Sequence, residues 1–371
     1  MRLQLAAIGA VLALAGTARA DGSVSVRGVY YKERATRVMQ PMLDGMFEVG
    51  THGTVTGHLL VDAITSASSS SGSAGSAFTE RRYEGGGGYT HDFGRYRVGG
   101  DAKISHEPDY QALYAGVRGE LDLAQKNATL AGGLGVTADT VSAGEAQGLA
   151  NPMIACKPST PAVFSKDCSL SGYDVFLSGS QILTRRLVVG ASYDLSQQHG
   201  YLSNPYRQVV AGLAFAPERH PDERFRQAFA ASVRYYLDAT STTIIGAYRY
   251  YRDDWKVHAH TPELRIVQEV GRTIDAAIRF RYYRQTQAFF YKPRYETADY
   301  AMQAYLSDDP KLTKFDGETM EAKLGVRGET FGLEEMWGEA RFEGILEYVV
   351  QHNRFGNAVI AQFALTLPFE Y

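Results

Sequence analysis

Apolar and polar side chains alternate with a period of two along much of this chain, over stretches longer than ordinary strands. The last is the clearest: Val359, Ala361, Phe363, Leu365, Leu367, Phe369 and Tyr371 form one face, with Gln362, Thr366 and Glu370 on the other. Half-buried strands of soluble proteins also alternate, but they run to about five or six residues. Upstream, the polar partners are often full charges. Ile278, Phe280 and Tyr282 alternate with Arg279, Arg281 and Tyr283; Leu113, Ala115 and Val117 alternate with Tyr114, Arg118 and Glu120. From Trp337 to Val350, Ala340, Phe342, Gly344, Leu346 and Tyr348 oppose Glu339, Arg341, Glu343 and Glu347. Similar patterns cover 96–104, 187–195, 229–237 and 320–327. Rows of charge backed by rows of apolar side chains suit a wall with lipid on one side and a wet lumen on the other.

The connections between these segments sort by length. Short ones hold Asp92-Phe93-Gly94, Ala124 to Asn127, Thr184-Arg185-Arg186, Leu237 to Thr240 and Val270-Gly271-Arg272. Long ones cover 65–78, 141–170, 198–223 and 288–311. Outer-membrane barrels have short periplasmic turns and longer extracellular loops. Counting back from a periplasmic C-terminus places every long connection outside. Every short one falls inside except the tips at Asp253-Asp254-Trp255 and His352-Asn353-Arg354. The pattern predicts an all-β fold: a transmembrane antiparallel up-and-down β-barrel of about 16 strands, with 14 to 18 as the range. Gln208 to Phe215 is expected to form an extended hairpin inside an outer loop rather than a further wall strand. The closing apolar strand with its terminal aromatic resembles the signal by which such barrels reach the barrel assembly machinery, carried here by Phe363, Leu365, Leu367, Phe369 and Tyr371.

Composition changes the picture in one respect. Mean hydropathy is −0.25 and the net charge is −3, which an ordinary hydropathy scan would score as soluble. In a barrel the alternating faces cancel in that average. Residues 1–20, with Arg2, an apolar run from Leu3 to Ala15 and Ala18-Arg19-Ala20 before Asp21, form a secretory signal peptide. Residues 21–371 then make a single outer-membrane barrel domain in a Gram-negative bacterium, with membrane lipid as its first partner and no nucleic acid. Cys156 and Cys168 would meet an oxidising compartment and are expected to form a loop disulfide.

Several motifs could carry chemistry. Gly85 to Gly88 lacks the following helix that a phosphate loop needs, and reads as a strand with room for neighbouring side chains. His258 and His260 share a strand face near Asp253 and Asp254, a spacing that can chelate copper or zinc, but alternate histidines near a rim are usually only exposed polar residues. His58 falls inward beside Asp62 with no serine tied to it by spacing. No catalytic residue, cofactor or metal is therefore expected. The inward charges are the strongest signal: Asp101, Lys103, Arg118, Glu120, Arg234, Arg249, Glu263, Arg265, Arg279, Arg281, Glu321, Glu339, Arg341, Glu343 and Glu347. They predict either a polar channel with a transverse field, passing small polar or charged solutes, or a lumen zipped shut by ion pairs. The second would be a non-conducting structural or interaction barrel.

At Gly200-Tyr-Leu-Ser-Asn-Pro-Tyr-Arg207, Arg219-His-Pro-Asp-Glu-Arg224, Tyr248-Arg-Tyr-Tyr-Arg-Asp-Asp-Trp255 and Phe280 to Tyr291, the sequence resembles an uncharacterised bacterial family, the domain of unknown function numbered 3570. The resemblance implies an exported, barrel-like protein with no assigned catalytic or binding residues. It also implies partners among exported redox or surface proteins, since the family's gene neighbourhoods hold small secreted, thioredoxin-like and flavin-attaching proteins. The chain departs from the family pattern in the cysteine-bearing loop and from Ser307 to Phe315. Finally, the connection 288–311 holds Phe289, Phe290, Tyr291, Tyr295, Tyr300 and Tyr305 beside Lys292, Arg294, Glu296, Asp299, Asp308 and Asp309. So aromatic a loop should fold against something: the mouth of the lumen, pairing with inward charges, or an external partner.

Overall fold

In the computed structural model, residues 21–34, 36–66, 78–142, 154–157, 163–204 and 207–370 are described. Residues 1–20, expected to be a signal peptide, Tyr371 and much of the stretches 65–78 and 141–170 lie outside them. In chain order the strands are β1 (Gly22–Lys32), β2 (Thr36–Val49), β3 (Gly53–Ser66), β4 (Phe78–Asp92), β5 (Tyr96–His106), β6 (Tyr110–Leu123) and β7 (Ala128–Ser142). There follow β8 (Ile154–Lys157), β9 (Val163–Ser165), β10 (Asp167–Thr184), β11 (Leu187–Gly200), β12 (Gln208–Ala211), β13 (Ala214–Pro217), β14 (Glu223–Leu237) and β15 (Thr242–Asp253). The last are β16 (His258–Val270), β17 (Ile274–Gln285), β18 (Phe315–Arg327), β19 (Arg341–Gln351) and β20 (Ala358–Phe369). Two short helices, α1 (Thr297–Met302) and α2 (Glu335–Glu339), lie in connections.

Sixteen of these strands form one closed barrel, β1 to β7, β10, β11 and β14 to β20, with each neighbour antiparallel. β8–β9 and β12–β13 are hairpins off the wall. Closure is made by β1 and β20, paired from Gly22 with Phe369 to Lys32 with Val359. A side chain at Gly22 would bring its Cβ within 2.3 Å of the Met46 carbonyl and 2.9 Å of the Phe369 ring. Glycine therefore lets the aromatic end of β20 lie across the seam.

The register sends Leu113, Val117, Leu134, Leu177, Val233, Leu264, Ile278, Met320 and Leu346 to the outer surface, where all are exposed. Arg279, one residue from Ile278, lies inside with only 10% of its side chain exposed. Outward aromatics gather towards both ends of the wall, with Tyr83, Tyr248 and Tyr348 at one and Tyr89, Tyr96 and Tyr235 at the other. These are the girdles that flank the apolar band of a membrane barrel.

One rim, which holds both chain ends, carries the turns 50–52, 93–95, 124–127, 185–186, 238–241 and 271–273. Gly50, Gly94 and Gly271 take positive φ there, the conformation tight turns require. The same rim also holds the longer connection 328–340, where the alternation from Trp337 suggests strand. Instead, the chain turns through residues 328–331 and α2, packed so closely that a Cβ at Gly328 would stand 1.8 Å from the Trp337 carbonyl. Glu339 is consequently the last residue of α2 and does not line the lumen. The far rim, for its part, carries the brief connections from Lys32 to Thr36 and at 107–109 as well as long loops. Cys156 and Cys168 are joined, with Cα atoms 5.2 Å apart. Because Cys168 lies in β10 and is buried, the bridge pins the β8–β9 hairpin to the top of the wall.

Replacing Ile278, which is 60% exposed on the outer face, with Arg should cost about 2–4 kcal/mol if it lies near the bilayer midplane. Denaturant unfolding in lipid vesicles measures this. A cost near zero would mean that this face does not meet hydrocarbon.

Candidate functional site

The cross-strand register builds an ionic wall on β16 to β19. Arg279 stands opposite Glu321, which stands opposite Glu347, so one guanidinium meets two carboxylates from successive strands. Its Nη2 contacts Glu321 and lies 3.1 Å from Glu347, while Nη1 is 3.6 Å from Glu263. Arg281 and Arg265 approach the same Glu263, at 2.9 and 3.8 Å. Lower on the wall Arg341 bridges Asp275 at 2.5 Å and Glu343 at 2.9 Å, and Lys323 reaches Glu343 at 2.6 Å. A second chain runs across β1 to β5: Arg27 to Asp44 at 2.6 Å, Asp44 to His58 at 2.7 Å, then Glu84, which His58 and Lys103 approach at 3.5 and 3.8 Å. Asp62 is engaged by Arg82 at 2.7 Å rather than by His58. Glu120 is held by Arg97 at 2.7 Å.

The remaining wall is different. Strands β5, β6, β7, β10, β11, β14 and β15 surround a cavity of about 490 Å³ whose lining includes Asp101, Arg118, Asp174, Asp194, Arg226 and Arg249. Among the described residues none of these six makes an ion pair within 4 Å. Arg118 donates to Thr90, Arg226 donates to Ser196, and Arg249 lies 5.9 Å from the Tyr251 ring. A second cavity of about 480 Å³, against β1 to β6, shares Asp101 and Arg118 with the first. A third, about 300 Å³, is walled by small side chains including Thr129, Ser178, Ser192 and Ser232. The space is kept by glycines under aromatic rings. A Cβ at Gly116 or Gly135 would fall 2.4 or 2.7 Å from Tyr114, and one at Gly133 would fall 2.4 Å from Phe176. Of the other sequence-derived candidates, Arg234 pairs in register with Ile245 and makes no ion pair among the described residues.

At the far rim the described parts of the connection 201–222 and the connection 286–314 fold together as a lid. One apolar cluster joins Trp255, Val257, Ala288, Phe290, Tyr291 and Leu312; another joins Val209, Ala211, Ala216, Tyr295 and Leu306. Between them sits a polar knot around Glu218, whose side chain is 0% exposed. Its carboxylate accepts from Ser307 Oγ at 2.6 Å, and Arg207 and His220 stand 3.5 and 3.2 Å away. His220 Nδ1 faces the Leu202 carbonyl at 2.9 Å, so both ring nitrogens meet acceptors. Burial works to raise the Glu218 carboxyl, but the His220 ring, Arg207 and the Ser307 hydroxyl together hold it below its usual range. Asp308 is the opposite case: burial outweighs Arg354 and Arg207 and raises it. Burial also pushes the Tyr295 phenol up to about 12, keeping it neutral while it donates to the Phe290 carbonyl at 2.7 Å.

Aromatic loop 288–311 is thus folded, but its ion pairs are within the loop or with other loops and not with inward strand charges: Asp299 with Lys292 at 3.2 Å, Asp308 with Arg354 at 3.6 Å and Asp309 with Arg207 at 3.5 Å. Serine, histidine and carboxylate do meet here. Glu218, however, stands between Ser307 and His220, so the ring cannot take the serine's proton as a hydrolase requires. His258 and His260 point outward, their Nδ1 atoms 2.9 and 2.5 Å from the Tyr250 and Tyr248 hydroxyls. Asp253 faces the other way, held by Arg224 at 2.6 Å. The pair therefore does not converge with Asp253, one of the two acids the spacing offered as further ligands. Asp174, Asp194 and Arg226 were not among the sequence-derived candidates, although the period of two along their strands places them inward. Glu218 and Arg207 had no periodic signal.

A family model described as a protein of unknown function (DUF3570) matches residues 74–353. The chain belongs to the DUF3570 family. No curated protein matches this DUF3570 sequence. Among solved structures, a bacterial polysaccharide outer membrane secretin is similar with a TM-score of 0.56 at 7% identity, over 95% of this chain and 100% of that one. CdiB from Acinetobacter baumannii gives 0.51 at 8% identity, over 95% of this chain and 60% of that one. OprD from Pseudomonas aeruginosa gives 0.47 at 7% identity, over 94% and 95%. The likeness to the first two concerns the fold: this DUF3570 member has the architecture of outer-membrane barrels.

Glu218→Gln should leave Arg207 and His220 buried against a neutral amide and destabilise the lid by about 3–5 kcal/mol, whereas Asp308→Asn should cost little or stabilise. Because the folded Glu218 carboxyl titrates below its unfolded value, its contribution is fully present above the ordinary carboxylate range, near pH 4.3. It is lost as pH falls through the lower, folded value. Hydrogen exchange of lid amides against pH would show protection persisting below pH 4 and then collapsing. Protection that was already lost near pH 6 would exclude this assignment.

Proposed function

We propose that this protein is an outer-membrane channel or transport barrel for small polar or charged solutes, with the far-rim lid narrowing its mouth. The observation that carries the reading is the asymmetry of the lumen. On β16 to β19 the charges neutralise one another, whereas Asp101, Arg118, Asp174, Asp194, Arg226 and Arg249 line open space without ion-pair partners among the described residues. A wall whose only task is to close the lumen would gain by pairing those six. Left unpaired beside a water-sized path, they supply the polar groups that replace a solute's hydration shell and the field that sorts solutes by charge. The small side chains around the third cavity continue that path towards the rim of the chain ends, the periplasmic side in this reading.

A non-conducting interaction barrel is the second reading. It is favoured by apolar side chains left uncovered on the lid, with Leu213 and Met302 almost fully exposed beside exposed Phe215 and Phe289. Such a patch is a candidate contact for exported redox or surface proteins.

Planar-bilayer recording separates the two. The channel reading expects stable conductance steps. Replacing Arg118, Arg226 and Arg249 together with Gln should shift the reversal potential towards cations, because Asp101, Asp174 and Asp194 remain. An inserted, heat-modifiable barrel that stays silent with the lid both intact and removed would overturn the channel reading and leave the interaction barrel.

A further inference from the structure

The outer wall carries a second charged feature that the lumen does not use. On β16 the outward positions are His258, His260, Pro262, Leu264, Ile266 and Gln268, and Leu264 is exposed on the lipid side. Eight residues separate His260 from Gln268; at roughly 3.4 Å per residue and a tilt of about 40° they span about 21 Å. That nearly fills an apolar band of about 25 Å, so His260 stands at its edge and His258 beyond it. The neighbouring strands place basic groups at the same height. Arg252 on β15 is paired in register with His258, and Arg284 on β17 with His260.

Their surroundings leave them aimed outward. Tyr250 and Tyr248 occupy the Nδ1 atoms of His258 and His260, leaving each Nε2 to the outside. Arg252 donates Nε to Gln227 at 2.8 Å, which fixes the guanidinium and leaves its other N–H groups open. Arg284 is exposed and makes no ion pair among the described residues. Asp316, its register partner, is engaged by His352 at 2.9 Å. With outward Glu318 it bounds the basic surface on one side; Gln227 bounds it on the other.

We propose that Arg252, His258, His260 and Arg284 form a binding site for the phosphate groups of anionic lipid headgroups, at the edge of the apolar band on the far-rim side. Cations beside tyrosines at the end of a lipid-facing strip meet the one layer of a membrane rich in phosphate oxygens, and arginine binds phosphate through paired N–H donors. The site is independent of whether the lumen conducts.

Native mass spectrometry of the detergent-released full chain, titrated with phosphatidylglycerol and, separately, phosphatidylcholine, tests this. The expected result is preferential retention of phosphatidylglycerol, weakened about fivefold for each arginine in Arg252→Gln and Arg284→Gln, and largely preserved when both are Lys. Arg186→Gln, at a turn on the opposite rim, removes the same charge and should leave retention unchanged. Heat-modifiable migration confirms that each variant is folded. Equal losses in Arg186→Gln, equal retention of both lipids by the native protein, or no loss in the folded double Gln variant would each overturn the proposal.

Discussion

Hydrocarbon offers no partner to a backbone amide, and each unsatisfied group costs several kcal/mol there. A sheet in that setting must therefore close, and here closure depends on the pairing of β1 with β20. Once the sheet is closed, the rest is constrained. The pleat sends alternate side chains to opposite faces, so each apolar residue the membrane demands is matched by an inward residue that lipid does not see. Tyr114, Arg118 and Arg279 are inside for that reason, and the lumen's content is set by what evolution placed in those positions. The glycine at Gly22, beneath the Phe369 ring, belongs to this constraint, because a side chain there would lift the seam.

Inward charges are used in two ways. Along β16 to β19 they fix register. A one-residue slip of β17 would carry Arg279 and Arg281 to the lipid face, and an arginine there costs about 2–4 kcal/mol at the midplane. A wall-to-wall apolar filling could match the ion pairs in stability, but it would not penalise the slip. Elsewhere glycines, serines and alanines replace long side chains, the aromatic rings of Tyr114 and Phe176 lie flat over glycines, and the charges keep their distance from one another. Both solutions arise from the same alternation and differ in the size of the neighbours.

Those neighbours explain what the sequence could and could not disclose. Strand identity, facing and closure were legible because the period of two was sustained and its polar members were charged, as at Arg279 between Ile278 and Phe280. Glu339 misled because an alternating string continued past the end of the lipid-facing wall, where Gly328 and Gly338 allow a tight helical turn instead. The brief far-rim connections from Lys32 to Thr36 and at 107–109 lacked the length signal on which orientation relied. The hollow itself was not legible, since whether Arg226 meets a carboxylate or open space depends on distances across several strands. The Glu218 knot was further out of reach, because Ser307 lies 89 residues from its acceptor. What the sequence did show was that a loop with that many aromatics would fold.

The lid is stabilised by a different chemistry from the lumen, and this separates their fates. Its two apolar clusters and the Glu218 knot draw on the far-rim loops and tips, while the lumen's unpaired charges sit below on strands. One seam joins them beside the cavity: Tyr251, which lines it, donates to Asp253 at 2.9 Å; Arg224 holds Asp253 and lies 4.1 Å from the Trp255 ring. Through this seam the position of the tip Trp255 is tied to the cavity wall, while most lumen charges have no hold on the lid. The packing of the lid is therefore largely separate from the charges of the lumen, and the two meet where Arg224, Tyr251 and Asp253 join.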